Sequence, residues 1–451
     1  MRFLINILAL LAAVAFTAQP VLAQSVLRDA ETEALMNDMA APLVDASGLE
    51  PGNVDMVLIN NPSINAFVAG GQVVYLHSGL IDAADSANEV QGVIAHELGH
   101  ITGGHVIRSA DSYRSATNIT ILSLLLGAAA VAAGAGDAGM AAIMAGQRAA
   151  LGKFLSFNRA QESSADAAGA EYLSKAGISG RGSLEFFGKL LNQEFRYGRS
   201  QADEAQFTRT HPLSGDRIRT LQLLYEVDPA WDAKSDAALE KRFQRVKAKL
   251  YGYLQEPAFV LRAYPRTRLD IPARYARAYA YHKDAQVERA LTEADGLLAL
   301  EPDNPYFLEL KGQILLESGR PQEAIAPLRQ ATSMTNNHPL IASIFGHALI
   351  ATEDDTNHEE AELVLRAAVA RDRWMPFAWY QLGFLYAAKG DMPRARLASA
   401  EREVMQRQYF LALRSAQIAE SGLPENTPDW LRAQDIRMLA QAELESERER
   451  R

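Results

Sequence analysis

His96, Glu97 and His100 fall in the run His96-Glu97-Leu98-Gly99-His100, an HExxH spacing. On a helix, residues four apart share one face a turn apart, so two imidazoles can reach one metal ion. Glu97 lies beside them, placed to take a proton from a water at that metal. The chemistry implied is metal-assisted hydrolysis, and a catalytic centre of this kind needs a third protein ligand and one open position. His105 is a poor third ligand, because five residues past His100 is about 500° around a continuous helix. The extended pattern HExxHxxGxxH would want a histidine at 106, where Val106 stands. Glu162 is the better candidate. It is spaced i, i+4 from Asp166, so both carboxylates share a helical face. One can bind the metal while the other accepts a hydrogen bond from a liganding imidazole and fixes its tautomer. Alone, such a pair describes a solvated acidic face; downstream of HExxH it becomes specific.

These residues need rigid elements to hold them. Ser86 and Glu89 form a capping box, and Val90, Ile94, Leu98 and Ile101 make an apolar stripe roughly opposite the two histidines. One face of that helix is expected to pack while the other lines a cleft. Upstream, Ser25 to Ser47 reads as a helix ending at Gly48, with Pro51 beyond it. Val54 to Asn60 alternates like a strand. Ile64–Ala69 and Gln72–His77 read as a hairpin, since Gly70-Gly71 accepts the positive φ angles of primed turns. If Gln72–His77 edges the cleft, it would pair with an extended peptide through main-chain hydrogen bonds; the alternative is a plain core hairpin.

The stretch from Ile119 to Gly146 is apolar, with Asp137 its one charge. Ala and Gly dominate it, which favours a buried or membrane-facing helical hairpin over a transmembrane pair. From about Ile271 the chain repeats itself. Gly312, Gly346 and Gly383 recur at 34 and 37 residues, and Ala290, Ala324, Ala361 and Ala395 at 34, 37 and 34. Trp379, Leu382 and Tyr386 complete the best copy, and Glu353 to His358 suits an enlarged loop. The period is that of the tetratricopeptide repeat, and four repeats with a terminal helix near Gln406–Glu420 are expected. Pro257, Pro265 and Pro272 place the domain boundary between Tyr253 and Ile271. The fold class is α+β, mostly α: a catalytic domain with a small sheet over 24–264, an α-solenoid over 271–420, and a C-terminal helical tail over 421–451.

At 451 residues, with 48% hydrophobic and 22% charged content, the chain should fold into two or three domains. A net charge of −10 with no basic stripe offers phosphates no footprint, so nucleic acid is not an expected partner. Arg2, the apolar run Phe3–Phe16 and Val21-Leu22-Ala23 read as a signal peptide over 1–23, cleaved after Ala23. No cysteine follows to carry a lipid, and the chain holds none at all. Export to a periplasm-like space is the expectation.

HELGH followed about sixty residues later by ExxxD resembles the gluzincin peptidases that include HtpX and the CAAX prenyl endopeptidases. With a signal peptide and C-terminal repeats, the resemblance narrows to the periplasmic BepA-like zinc metalloproteases and covers nearly the whole mature chain. It implies one Zn2+ held by His96, His100 and Glu162, Glu97 as general base, and Asp166 behind a liganding histidine. It also implies a histidine that can take the metal's fourth position and hold the enzyme in check, here His211 in Thr210-His211-Pro212-Leu213. An oxyanion-stabilising role for His211 or Arg217 is the alternative. The implied activity is hydrolysis of peptide bonds in misfolded or misassembled envelope proteins. The repeats would recruit those substrates or the outer-membrane assembly machinery, and 119–146 would give peripheral membrane contact. A chaperone or adaptor with minor or gated peptidase activity is the rival reading.

Overall fold

The computed structural model describes residues 25–105, 107–108, 117–126, 136–197 and 211–450. The signal-peptide reading therefore lies outside the described residues. The chain divides into two compact units, one of residues 37–235 with the first strand, the other of residues 28–36 with 236–451.

In the first unit, strand β1 (Val26–Leu27) precedes helix α1 (Ala30–Ser47) and strand β2 (Asp55–Ile59). A helix was expected from Ser25. It begins five residues later because Asp29 accepts from the Thr32 amide at 2.8 Å, capping the first turn, while Val26 and Leu27 pair with β2. β3 (Ala66–Ala69) and β4 (Val73–His77) form the expected hairpin, with Gly70 and Gly71 at φ +65° and +105°. The sheet order is β1-β2-β4-β3, with β2 and β4 parallel. β4 is thus flanked on both sides, so the condition for peptide pairing at Gln72–His77 fails and the plain hairpin alternative holds. Both of its ladders are already filled by β2 and β3, which leaves β1 and β3 as the edges.

α2 (Ser78–Ala83) leads into α3 (Ala87–Thr102), which carries the HExxH run. Residues 117–126 are helical, and α4 (Gly136–Lys175) is a single 40-residue helix. The two touch where Ser123 lies against Gly146. Among the described residues of the apolar stretch 119–146, Leu122, Leu125, Met140 and Met144 are exposed, as a membrane-facing hairpin would have them and a buried one would not. Among the described residues no helix is long and apolar enough to cross a membrane. α5 (Arg181–Tyr197) and α6 (Gly215–Glu226) complete the unit.

The second unit is an α-solenoid. α7 (Ala237–Leu254) and α8 (Pro257–Ala263) precede four helix pairs: α9/α10 (Ile271–Lys283, Val287–Leu300), α11/α12 (Pro305–Glu317, Pro321–Met334), α13/α14 (Pro339–Ala351, His358–Arg371) and α15/α16 (Pro376–Ala388, Met392–Met405). The repeat register is visible in packing, since Gly312 and Gly346 lie directly against Leu328 and Leu365 of the following helix. The enlarged loop holds a short 3-10 turn, Asp355–Asn357.

Two expectations shift. The units divide at 235/236, upstream of the boundary placed between Tyr253 and Ile271, because Gly252 of α7 seats against the Ala276 backbone of α9. Pro257 opens α8 at its first turn, where a missing amide costs nothing, and so does not end a domain. The 421–451 segment is helical, as expected, and only the bounds move: the helix after the repeats runs from Tyr409 to Gly422 and the last one starts at Pro428. α17 (Tyr409–Gly422) and α18 (Pro428–Glu449) share a core of Ala412, Ala416, Ala433, Ile436 and Ala440 with α16.

Candidate metal centre

α3 starts as its sequence dictates. The Ser86 hydroxyl accepts from the Glu89 amide at 3.3 Å, and Glu89 accepts from the Asp85 amide at 2.8 Å. Lys189 of α5 pairs with Glu89 at 2.7 Å, tying the helix start to its neighbour. The helix is less one-sided than its pattern suggested, because every residue from Ala87 to His100 is buried. Gly99 explains how. A Cβ there would sit 2.6 Å from the Ala165 carbonyl oxygen, so only glycine lets α4 cross at backbone contact. That crossing brings Glu162 and Asp166 to the histidines.

The cluster forms at this point. His96, His100, Glu162 and His211 each offer a ligand atom, and these four atoms lie within 4.8 Å of one another. The Nε2 atoms of His96 and His100 are 3.1 Å apart. Glu162 approaches His96 at 3.4 Å and His100 at 3.5 Å. His211 Nδ1 is 3.1 Å from Glu162 Oε1 and 3.3 Å from His96 Nε2. Asp166 Oδ1 stands 3.0 Å from His96 Nδ1, on the far side of that ring from the cluster. All five side chains are buried.

Arg217 grips Asp166 with two hydrogen bonds of 2.8 Å, donates to the Pro212 carbonyl at 2.7 Å and contacts Glu162 at 3.1 Å. Four of the five N–H groups of this guanidinium are committed to two carboxylates and a carbonyl, which leaves one on Nη2. Its geometry fixes the loop carrying His211, since α6 begins at Ser214, whose hydroxyl accepts from the Arg217 amide.

The electrostatics follow from burial. Desolvation opposes a charged His96, yet Asp166 and Glu162 outweigh it and lift the imidazole to about 10. His100 is pushed down to about 2 by burial and by the charges of His96 and His211. Burial opposes ionisation of Glu162 and Asp166, but both stay below the usual carboxylate range, Glu162 through His211 and His96, Asp166 through His96 and Arg217. Glu97 moves the other way, its carboxyl raised chiefly by desolvation. Neither of its oxygens has a hydrogen-bond partner among the described residues, and His211 Nε2 lies 3.5 Å away. A fully buried carboxylate left without a donor is costly unless a ligand supplies one. Three imidazoles and a carboxylate converging on one point, with an unpartnered carboxylate beside them, suit a divalent cation bound through nitrogen and oxygen.

His105 lies outside the cluster, as expected, but not where a continuous helix would put it. The helix stops at Thr102, and Gly104 at φ +61° turns the chain back, a conformation glycine adopts freely. His105 Nδ1 then reaches His100 Nδ1 at 2.9 Å, behind the ring rather than at the cluster. It is no ligand to this group, but it holds one. The signal was present in the pair Gly103-Gly104, which ends any continuous helix. Thr102 adds a second brace through Tyr172 of α4, oxygen to oxygen 2.7 Å.

A buried helix bearing HExxH, crossed at backbone contact by a helix bearing two carboxylates, defines the class of protein: a metalloendopeptidase joined to a tetratricopeptide-type solenoid. Residues 26–224 match Peptidase family M48, and this part of the chain is an M48 peptidase domain. The chain is 26% identical over 396 residues to the Beta-barrel assembly-enhancing protease of Escherichia coli (strain K12), covering 82% of this chain and 78% of that protein. It is 27% identical over 298 residues to the Yersinia pestis protein of the same name, covering 65% and 60%. Metalloprotease LoiP of Escherichia coli (strain K12) is 30% identical over 164 residues, 35% of this chain and 58% of that one.

Proposed function

We propose that the protein is a zinc-dependent endopeptidase of the periplasm that cleaves misfolded or misassembled envelope proteins. His96, His100 and Glu162 would hold the ion, and Asp166 orients His96 from behind. When bound, zinc supplies the Lewis acidity that polarises a peptide carbonyl and acidifies a nearby water. The Glu97 carboxylate takes the proton from that water and returns it to the leaving amine nitrogen. The observation that carries this reading is the buried, unpartnered Glu97 carboxylate facing the four-donor cluster. Its raised proton affinity suits a group that must hold a proton between two steps.

His211 fills the fourth position of the cluster, which supports a gated enzyme in which this loop must leave before substrate enters. The same observation favours the second reading, a chaperone or adaptor for outer-membrane protein assembly with minor peptidase activity. The relatives named for β-barrel assembly support a place near that machinery, with the repeats recruiting substrates or partners. A signal peptide cleaved after Ala23 would deliver the chain there. The exposed Leu122, Leu125, Met140 and Met144, with Arg148 and Lys153 and no acidic residue between Ala138 and Gln161, support peripheral contact with an anionic lipid surface.

The test is zinc content and cleavage of unfolded casein by the mature chain, by Glu97→Gln and by His211→Ala. One zinc in each, cleavage lost in Glu97→Gln and raised in His211→Ala, is the expected result. Zinc in all three with no cleavage by any would transfer the function to the adaptor reading.

A further inference from the structure

The four helix pairs of the solenoid differ in what their first helices show to solvent. Among the described residues, α9, α11 and α13 expose no large apolar side chain. α15 exposes three: Phe377 at 43%, Tyr380 at 50% and Phe384 at 56%. Their spacing of i, i+3 and i+7 sets them in one row along the helix. Phe377 meets His347 of α13 edge-on at 5.5 Å, but the core side of α15 is filled by Ala378, Leu382 and Leu385, and the row lies on the other side with much of its apolar surface exposed. The next first helix, α17, continues the pattern with Phe410 at 64%.

The charges nearby are as unusual as the rings. Between Lys389 and Arg414 six basic residues stand against three acidic ones, in a chain of net charge −10. Lys389 is taken up by Glu362, and Arg394 by Asp391 and Asp429. Arg402, Arg407 and Arg414 make no ion pair among the described residues. Several other surface guanidiniums of the solenoid have a polar partner, a carboxylate for Arg320 and Arg329, a hydroxyl for Arg266 and backbone carbonyls for Arg371. Arg402 lies over the Tyr380 ring, its guanidinium carbon 5.4 Å from the centroid, and its Nε is buried without an acceptor. A cation stacked on an exposed ring and lacking a carboxylate is a half-built recognition site.

We propose that the Phe377–Tyr380–Phe384 row with Arg402 is a docking surface for an acidic polypeptide segment carrying aromatic side chains. Aromatic side chains of the partner stack on the row, and its carboxylates meet Arg402, the cation already seated on Tyr380. The apolar part supplies the anchors and the charge supplies selection, the usual division at such surfaces. The surface sharpens the recruiting role proposed for the repeats and does not depend on the metal site.

The experiment uses the full mature chain carrying Glu97→Gln, so that nothing is cut. Fluorescence anisotropy is read with a short synthetic peptide that alternates Asp or Glu with Phe or Tyr, and with a twin in which every acidic residue is Lys. Unfolded casein serves as a general substrate. The acidic peptide is expected to bind and its Lys twin to fail. Phe377→Ser with Phe384→Ser, and separately Arg402→Glu, should each weaken binding about tenfold or more. Both variants alter exposed or half-buried side chains, and unchanged thermal melting confirms the fold. Equal binding of the two peptides overturns the charge assignment. Acidic-peptide binding untouched by either variant overturns the location. If the variants lose the acidic peptide yet retain casein, the surface stands and general recruitment lies elsewhere on the repeats. If casein binds while the acidic peptide never does, recruitment survives and this surface falls. A wild-type dimer that the Phe377→Ser, Phe384→Ser pair makes monomeric, with no peptide bound, assigns the row to a second copy and overturns the proposal.

Discussion

Both units bury charge, and they do so in opposite ways. In the solenoid, Arg277 is 1% exposed, yet it donates to both oxygens of Glu293 at 2.7 and 3.0 Å and to the carbonyls of Pro265 and Arg268. Lys249 likewise meets Asp29 at 2.5 Å and Glu31 at 3.4 Å. Both of these charges have found their complements within the protein. In the metal centre, ring nitrogens converge, the His96 and His100 Nε2 atoms lying 3.1 Å apart, and among the described residues Glu97 has no hydrogen-bond donor. Satisfied burial holds a fold together; convergent, unsatisfied burial marks a place where something must bind.

The sharpest way to break this contrast is Glu97→Gln. It removes a proton acceptor and leaves the cluster's ligand atoms in place, so cleavage should fall by roughly 10²–10⁴-fold with metal content unchanged. Loss of metal alongside activity would place Glu97 among the ligands instead. The complementary change is Arg277→Met in the solenoid. It strands Glu293 in a buried site, and although Arg274 keeps one contact at 3.1 Å, a destabilisation on the order of 3 kcal/mol is expected. Cleavage per folded chain should stay at the parent value. Calorimetry and an activity titration together read both numbers, and a melting temperature equal to the parent's would mean the pair contributes specificity rather than stability.

How much of this was legible beforehand depended on the range of the interaction. HExxH and its cap are local, so α3 could be read directly, and the repeat glycines were readable because they recur at 34 and 37 residues, one per helix pair. The strand order was not: nothing local tells β4 that β2 will pair with its free side, and so an inner strand read equally well as an edge. The domain boundary failed for a similar reason, since Pro257 punctuates equally well a linker or the first turn of a helix. His105 stands outside the cluster as expected, but its place behind His100 was not legible because the wheel was carried through Gly103-Gly104. Glu162 was reachable only through its pairing with HExxH, as the Gly99 crossing that delivers it lies 66 residues upstream of Ala165.

His105 gives the intermediate prediction. His105→Ala removes the 2.9 Å contact that fixes the His100 ring, and metal affinity should weaken about 10–100-fold, as for other partners standing behind liganding histidines. Competition with a chelating dye measures this without any cleavage assay. His105→Asn, which can still donate to His100, should recover part of the loss. An affinity identical to the parent's in His105→Ala would make the residue a simple filler of the turn.

The smallest effect concerns Glu309, the solenoid's exception to satisfied burial. Burial raises its carboxyl to about 8; Lys249 draws it down while Asp29 and Glu31 push it up, and Oε2 has no hydrogen-bond partner. The folded-state value thus lies above the ordinary carboxylate value of about 4.5, and the folded chain holds a proton that the unfolded chain has released. That stability is fully present below about 4.5 and is lost as pH rises through about 8, at about 1 kcal/mol between pH 7 and pH 8. Glu401, lifted to about 7 chiefly by burial despite Arg373, tilts the solenoid the same way. Glu309→Gln keeps the neutral shape, so it should flatten the decline over this window and leave Glu401's share. Denaturant midpoints taken at successive pH values decide it. Parallel curves for parent and Glu309→Gln would show that the carboxyl is ionised after all, its charge carried by Lys249, and Glu309 would then join the satisfied group.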